Sequence, residues 1–426
     1  MVAVRAVSSA LLAFLSIAPA SSAPAEDRRR GEIRGPEAPF SSFPTPAFDA
    51  TGRLWLAFVE GDFIYVTSSD DGGRTFALAV PVNREREKID ANGEGRPKIA
   101  ATKEGTLLVS WTKKLEKAYS GLIRFSRSTD GGKSFTPPVT LNDDGLETGH
   151  RFDALAVAPS GAILAAWIDK RDLERARSEG KPYTGAAIYV AVSRDGGRTF
   201  EPNRKVKDNV CECCRLSFAF DATGEASLLF RDIVDGGIRD HVLAKRVGES
   251  EPPAIHRVSF DEWKIDACPH HGPSLFIDSL GRYHAAWFTA GERSGTGSFY
   301  ALSTDGGRTF TRPVALGEGE RATHPFVLGI GSSVYLVWME VDGRESVVWM
   351  KASADGGDSW SAPVTLARGG PGADHPLLAS DGEEVFLSWF SKETGYVLLP
   401  LSRSTSPSSR VRAPFDEDED VLVALP

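Results

Sequence analysis

All four cysteines of this 426-residue chain fall in two short segments. Cys211, Cys213 and Cys214 stand in the stretch NVCECCR, and Cys268 stands in DACPHHGP close to two histidines. Thiolates and imidazoles together suit Zn(II) or Cu(I), whereas four cysteines in an oxidising compartment can form disulfides in three connectivities. The spacing C-x-C-C is not a standard zinc motif, and a catalytic or redox thiol is a third interpretation. The cysteines therefore predict either disulfides or a metal site, and export would favour disulfides.

Histidines, arginines and carboxylates gather in the segments on either side of short apolar stretches. Segments that precede such a stretch carry His150, His271, His324, His375, Arg96, Arg151, Arg215 and Asp153. Segments that follow one carry Asp169, Arg231, Asp232 and Glu340. Imidazoles, cations and carboxylates grouped over an apolar scaffold are typical of a ligand site, and a ring of imidazoles could also hold copper. Polar loops around a wet channel are the alternative interpretation.

The apolar stretches themselves predict strands. Seven of them resemble one another, usually carry a tryptophan, and each follows a shorter apolar segment; they span 53–60, 106–113, 162–169, 225–232, 282–289, 333–340 and 384–391. Helical patterning is scarce, and its best candidate is 172–180 inside a long loop. β-rich units that repeat about every fifty residues indicate an all-β propeller of four-stranded blades. The number of units predicts seven blades.

A short motif recurs between these units. The pattern S-x-D-x-G-x-[TS]-[FW] occurs five times, with its aspartate at Asp71, Asp130, Asp195, Asp305 and Asp355. Serine and aspartate side chains bond nearby backbone amides, and glycine accepts positive φ, so the motif predicts a tight turn between strands. The aspartates are spaced by 59, 65, 110 and 50 residues, which indicates that one unit has lost its copy. We assign these aspartates a structural role.

This motif is identified as the Asp-box, or BNR repeat, and with it the chain resembles the sialidase-like β-propellers. The cysteine segments, with DEWKIDACP between them, resemble a secreted bacterial branch of that family. The resemblance implies six blades and places the box on the face opposite the active site. It also implies that three arginines, here Arg96, Arg151 and Arg215, grip a substrate carboxylate, with Asp153 and Asp232 as candidate catalytic carboxylates.

Propeller topology predicts which residues share a face. Strands in a blade alternate in direction, so the loops that lead into the first strands lie on the same face as the loops that leave the second strands. Ligands bind to propellers on this face. The two cysteine segments lead into the first strands of units four and five, so we expect them to be neighbours in space and within reach of a cross-link.

The N-terminal sequence predicts export. Residues 1–25 combine Arg5, a short apolar run and small-residue cleavage sites, as in a secretory signal peptide, and the run is too short to span a bilayer. Residues 26–40 are then predicted to be a disordered leader, and 41–426 a single propeller domain. We expect a periplasmic or extracellular protein that does not insert into a membrane after cleavage.

The charge and the loops together restrict the function. A net charge of −9 argues against a nucleic-acid partner. The sequence predicts a sialidase-like propeller that hydrolyses or binds an anionic glycan with a rim rich in histidine and arginine, without an obligatory cofactor. The alternative is a non-enzymatic propeller that binds copper or zinc at the Cys/His rim or acts as a protein-interaction scaffold.

Overall fold

The computed structural model describes residues 33–34, 42–267 and 269–402 of the chain. Its strands form seven antiparallel sheets of four strands each, arranged as a β-propeller in which every sheet is one blade. The seven blades predicted from the repeating units are confirmed, and the six implied by the sialidase resemblance are wrong. The predicted signal peptide, most of the predicted leader and Cys268 lie outside the described residues.

Six blades are each built from four consecutive strands. Blade 1 holds β2 (Ser42–Phe48), β3 (Leu54–Glu60), β4 (Phe63–Ser69) and β5 (Val80–Pro81). Blade 2 holds β6 (Lys98–Ala101), β7 (Leu107–Lys114), β8 (Gly121–Ser128) and β9 (Val139–Thr140). Blade 3 holds β10 (His150–Val157), β11 (Ile163–Asp169), β12 (Ala186–Ser193) and β13 (Arg204–Val210). Blade 4 holds β14 (Ser217–Phe220), β15 (Ala226–Arg231), β16 (His241–Lys245) and β17 (Ala254–Arg257). Blade 5 holds β18 (Ser274–Ile277), β19 (Tyr283–Gly291), β20 (Gly295–Ser303) and β21 (Val314–Leu316). Blade 6 holds β22 (Ala322–Ile330), β23 (Ser333–Val341), β24 (Ser346–Ser353) and β25 (Val364–Gly369).

Blade 7 joins the two ends of the described chain. It holds β26 (Leu377–Ser380), β27 (Val385–Ser391), β28 (Gly395–Pro400) and, as its outer strand, β1 (Ile33–Arg34). Two residues of the predicted leader thus pair with β28, Ile33 opposite Leu398 and Arg34 opposite Val397. The ring is therefore closed by a sheet that contains both the first and the last described strand, and this closure stabilises the propeller.

The second strand of each blade is apolar because neighbouring blades cover both of its faces. Every residue of β11 is buried, so its sequence ILAAWID reads as a continuous apolar run rather than an alternating one. Five of these strands bury a tryptophan that is at most 1% exposed: Trp111, Trp167, Trp287, Trp338 and Trp389. Each indole N–H donates to a carboxylate or carbonyl oxygen at 2.6–3.0 Å, which satisfies the one polar atom of the ring.

The five copies of the repeated motif form the same turn after the third strand of their blades. In the first copy, Ser69 Oγ donates to Asp71 at 2.7 Å and accepts from the amide of Gly73, while Asp71 accepts from the backbone and side chain of Thr75. The other four copies repeat this pattern. These aspartates are therefore engaged by hydrogen bonds within the turn.

The aromatic residue that ends the motif ties adjacent blades together. Phe200 of blade 3 packs edge-on against Phe125 of blade 2 with ring centroids 5.0 Å apart. Trp360 of blade 6 makes the same contact with Tyr300 of blade 5 at 5.1 Å. Each turn thus stabilises its own blade and the interface with the preceding one.

A single α-helix interrupts the strands of the described chain. The helix predicted over 172–180 is observed as α1, at Arg171–Ser178 between β11 and β12. No helix in the described ranges is long and apolar enough to cross a membrane.

Candidate functional site

Strand pairing places the loops that carry the predicted site residues at one end of the blades. In blade 3, His150 at the start of β10 pairs with Asp169 at the end of β11, and Val157 pairs with Ile163 at the opposite end. Ile163 also pairs with Ser193, the first residue of a repeat turn. The loops that precede the inner strands therefore share one face with the loops that follow the second strands, and the repeat turns lie on the other face.

Three inner strands begin at this face with a β-bulge. The pairing register shifts between Ser42 and Thr45, Arg151 and Ala154, and Thr323 and Phe326. At these points Phe43, Phe152 and His324 have φ of 55°, 57° and 49°. A bulge redirects the side chains around it, and left-handed backbone at large residues concentrates at functional sites. The bulges thus position the side chains that start β10 and β22.

Glu94 lies where the loops that lead into the inner strands of several blades meet. Its carboxylate accepts hydrogen bonds from the amide and guanidinium of Arg215 at 3.0 and 2.8 Å and from the amide of Gly272 at 2.8 Å. Burial raises the pKa of a carboxyl, but Arg215 and the neighbouring donors outweigh it and hold the pKa of Glu94 well below its ordinary value. One carboxylate of blade 2 thereby fixes the loops of blades 4 and 5.

A second buried ion pair links the loops of blades 2 and 7. Arg96 donates to both oxygens of Asp374 at 2.9 and 2.6 Å, and both side chains are 4% exposed. Of the three arginines expected to grip a substrate carboxylate, Arg96 and Arg215 are thus already held by carboxylates of the protein. The structure does not form a three-arginine grip around an open position.

Three of the predicted rim histidines come together as a stack beside Glu94. The ring centroids of His271 and His324 are 4.3 Å apart, and those of His324 and His375 are 3.3 Å apart. The Nδ1 atoms of His324 and His375 lie 3.4 and 3.5 Å from Glu94 Oε1. None of the three Nδ1 atoms has a well-formed hydrogen bond to a described residue, although all are buried.

The same burial keeps these imidazoles neutral. It lowers the pKa of His271 to about 2, that of His324 to about 3 and that of His375 to about 4. A neutral imidazole offers a lone pair, so the stack can accept a proton, a hydrogen bond or a cation. The three histidines, Glu94 and Arg215 are called the channel cluster below.

The three described cysteines form a second group, called the thiol cluster. Their sulfurs are separated by 3.8 Å between Cys211 and Cys213 and 3.9 Å between Cys213 and Cys214. A disulfide needs about 2.05 Å, so these three thiols are free of one another. Arg231 donates to Cys214 Sγ at 3.2 Å. A bridge to Cys268 falls outside the described residues and stays a prediction.

A cavity of about 210 Å³ opens beside the thiol cluster. We call it the Tyr119 cavity, and it is lined by Tyr119, Gly149, Arg151, Ile168, Lys170, Glu212, Cys213 and His270. Tyr119 is 76% exposed, and the Arg151 guanidinium lies 5.8 Å from its ring centroid. Arg151 donates through Nε to Asp90 at 2.5 Å, and its Nη groups donate to no residue in the described ranges.

Several predicted site residues serve the scaffold instead. His150 is fully buried, with Nε2 3.0 Å from Asp144 and Nδ1 2.8 Å from the Gly121 carbonyl. Burial lowers the pKa of His150, but Asp144 and Asp169 outweigh it and raise that pKa above its ordinary value. Asp169 accepts from Trp167 Nε1 and from the Arg171 guanidinium. Both side chains are therefore buried and held by protein partners rather than available to a ligand.

The remaining predicted carboxylates are also held by nearby protein groups. Asp153 accepts from Ser110 Oγ at 2.6 Å, and Glu340 accepts from Trp338 Nε1 at 3.0 Å. Lys207 lies 3.2 Å from Asp232, whose pKa is raised by burial.

Sequence reasoning did not select Glu94, Asp374 or Tyr119. Glu94 and Asp374 lie in the inner-strand loops GEGRP and GADHP, from which only the arginine and the histidine were chosen. For Glu94, a carboxylate between two glycines in such a loop is the available signal. Tyr119 lies in the polar loop between β7 and β8, and its place in a loop that follows a second strand is the available signal.

Comparisons with known proteins show the fold. No protein-family model matches the sequence, and no curated protein matches it. A protein of unknown function from Dyadobacter fermentans is 18% identical, with a TM-score of 0.53 over 75% of this chain and 97% of its own. A PL25 ulvan lyase bound to -[GlcA(1-4)Rha3S]- is 12% identical, with a TM-score of 0.54 over 83% of this chain and 93% of its own. A Hadza microbial sialidase is 16% identical, with a TM-score of 0.49 over 80% of this chain and 74% of its own. The chain thus shares its fold with the Dyadobacter fermentans protein and the ulvan lyase.

Proposed function

We propose that this protein binds the acidic terminal residue of a saccharide in the Tyr119 cavity. The observation that carries the proposal is the pairing of a largely exposed aromatic ring with a guanidinium whose Nη groups are free of described partners. An exposed ring provides a flat apolar surface for the C–H face of a sugar, and arginine matches a carboxylate or sulfate bidentately.

Backbone strain around the cavity supports a functional role. Tyr119, Phe152 and His270 have φ of 61°, 57° and 53°, and the rings of Phe152 and His270 lie 5.9 Å apart. Left-handed backbone at bulky residues costs of order 1–3 kcal/mol each and persists where the surroundings enforce it. The wall of the Tyr119 cavity therefore holds a defined shape at a cost in stability.

The size and polarity of the cavity restrict its ligand. A volume of about 210 Å³ is smaller than that of a site for a drug-sized ligand, so the cavity suits one sugar residue at the end of a chain. Lys170 and Glu212 form an ion pair at 2.5 Å across it and can donate to and accept from hydroxyl groups.

The proposal is one of binding rather than sialidase hydrolysis. The sialidase mechanism needs three arginines around one carboxylate, and Arg96 and Arg215 are engaged by Asp374 and Glu94. The ulvan lyase that shares the fold was solved with a saccharide of glucuronate and a sulfated rhamnose, which supports an acidic glycan as the ligand class. Membership of the sialidase-like family is proposed on the five repeat turns.

Calorimetry with a panel of uronate-, sialate- and sulfate-terminated oligosaccharides tests this proposal. Arg151→Gln removes a charged donor, and losing hydrogen bonds to a charged group is expected to weaken binding about tenfold or more. Arg198→Gln is the matched control, because Arg198 is exposed in a repeat turn on the opposite face. The proposal is contradicted if no acidic saccharide binds, or if the two variants bind the ligand equally well.

We also propose that the protein is exported, as residues 1–25 predict. N-terminal sequencing of the mature protein from the periplasm or medium is expected to show cleavage after Ala20 or Ala25. An intact N-terminus on cytoplasmic protein would contradict export.

A further inference from the structure

We propose that Cys211, Cys213 and Cys214 bind one thiophilic closed-shell cation, Zn²⁺ or Cu⁺, in the loop that precedes β14. This inference does not depend on the saccharide proposal, because the cation is held by the thiol cluster and the sugar by the cavity beside it.

The distances between the sulfurs carry the inference. In a tetrahedral site with metal–sulfur bonds of about 2.3 Å, two thiolates lie about 3.8 Å apart, and in a trigonal site they lie about 4.0 Å apart. The sulfurs of Cys211 and Cys213 are 3.8 Å apart, those of Cys213 and Cys214 are 3.9 Å apart, and all three lie within 4.8 Å of one another. Two of the three sulfur separations therefore already match one cation, and the third lies within about 1 Å of the separation that the cation requires.

The backbone of this loop and its surroundings hold the three sulfurs in place. Asn209, at the end of β13, has φ of 58°, and the amide of Cys211 donates to the Arg231 carbonyl at 3.1 Å. The three cysteines are 2–3% exposed and pack into the apolar core between blades 3 and 4. Three converging thiols enclosed in an apolar core are a ligand set that selects soft cations over Mg²⁺ or Ca²⁺.

The charge of Arg231 is a second, independent observation. Its side chain is 1% exposed, and it donates to Cys214 Sγ at 3.2 Å and to the carbonyls of His271 and Phe288 at 3.0 and 2.7 Å. Within the described part of the chain no carboxylate forms an ion pair with it. A buried charge without a counter-charge is costly, so the guanidinium requires an anionic neighbour.

A thiolate-bound cation provides that neighbour. Zn²⁺ with three thiolates carries one net negative charge, which the guanidinium neutralises, and Cu⁺ with three thiolates carries two, of which the guanidinium offsets one. Binding releases the thiol protons to solvent and involves no change of oxidation state. Cys213 also lines the Tyr119 cavity, which gives an ion a path from solvent to the sulfurs.

The channel cluster is a weaker candidate for a cation. Glu94 Oε1, the carboxylate oxygen closest to the histidines, already accepts from the Arg215 guanidinium at 2.8 Å. A cation on that oxygen would lie against a fixed positive charge, which opposes binding. The thiol cluster has the reverse arrangement, in which the nearby guanidinium offsets the negative charge of the ligands.

Metal analysis of the full chain, purified anaerobically without chelators, tests the inference. We expect one equivalent of Zn²⁺ or Cu⁺ per chain. Reloading of the metal-free protein in competition with a chromophoric chelator for each ion then shows which of the two it prefers. Cys213→Ser is expected to bring the stoichiometry close to zero, whereas His324→Gln, which alters the channel cluster, is expected to retain the metal.

A measurement on the wild type avoids reliance on variants that fold poorly. Replacement by Co²⁺ is expected to give thiolate-to-cobalt charge-transfer absorption in the near ultraviolet, as sulfur ligation requires. Three results would overturn the inference: no cation bound after reloading, full occupancy in Cys213→Ser with loss in His324→Gln, or no thiols detected after unfolding with a chelator and without reductant, which would indicate disulfides.

Discussion

Removal of the negative charge at Glu94 is expected to destabilise the propeller by about 3–5 kcal/mol, the cost of breaking a buried ion pair from one side. The variant Glu94→Gln keeps the volume of the side chain. However, its amide must face either the Arg215 guanidinium or the amides of Arg215 and Gly272, all of which are donors. One buried contact therefore becomes donor against donor, and the Arg215 charge loses its partner.

Urea unfolding followed by tryptophan fluorescence and by circular dichroism measures this effect. Glu345→Gln is the matched control, because Glu345 pairs with Arg368 at 2.8 Å with both side chains about half exposed, and such pairs contribute about 0–1 kcal/mol. Because the folded pKa of Glu94 is lowered, its contribution is complete above its unfolded pKa of about 4.5 and is lost as pH falls below that value. A Glu94→Gln variant as stable as the control at neutral pH would show that the buried pair with Arg215 contributes no more than an exposed pair.

Gly272→Ala, with Gly372→Ala as its control, and His150→Gln test other parts of the scaffold. In Gly272→Ala the new Cβ would lie 2.2 Å from Arg215 Cγ, so we expect a loss of about 1–3 kcal/mol in the free energy of unfolding. In Gly372→Ala the new Cβ has no heavy atom within 4 Å, so the free energy of unfolding should change by less than about 0.5 kcal/mol. Equal losses in the two variants would show that the close approach at Gly272 does not matter for stability. The third variant is His150→Gln. Because the folded pKa of His150 is raised, the wild type exceeds this variant in free energy of unfolding by the full amount below about pH 6.5, and the difference is lost as pH rises through the folded pKa. Unfolding curves recorded across this pH range measure the difference in free energy of unfolding. A difference that grows as pH rises would be inconsistent with the contacts of His150 to Asp144.

The fold could be predicted from the sequence because its determinants are local. The turn at Asp71 is specified by residues within four positions of it, and the apolar run of β11 follows from burial on both faces. The number of blades followed from counting such runs. Which terminus supplies the outer strand of blade 7 could not be predicted, since Ile33–Arg34 is too short to give a pattern.

The candidate site could be predicted only in part. The topology correctly brings His271, His324 and His375 to one place, because all three precede or begin inner strands. Their surroundings depend on contacts between residues far apart in the chain: Arg96 and its partner Asp374 are 278 positions apart. No local pattern distinguishes an arginine held by such a partner from one that is available to a ligand.

A crystal structure of the protein with the tightest-binding acidic oligosaccharide would show whether the saccharide occupies the Tyr119 cavity. We expect the terminal sugar against the Tyr119 ring, with its carboxylate or sulfate within hydrogen-bonding distance of the Arg151 Nη groups. A saccharide bound at the repeat turns, or over the channel cluster without contact to Arg151, would contradict it.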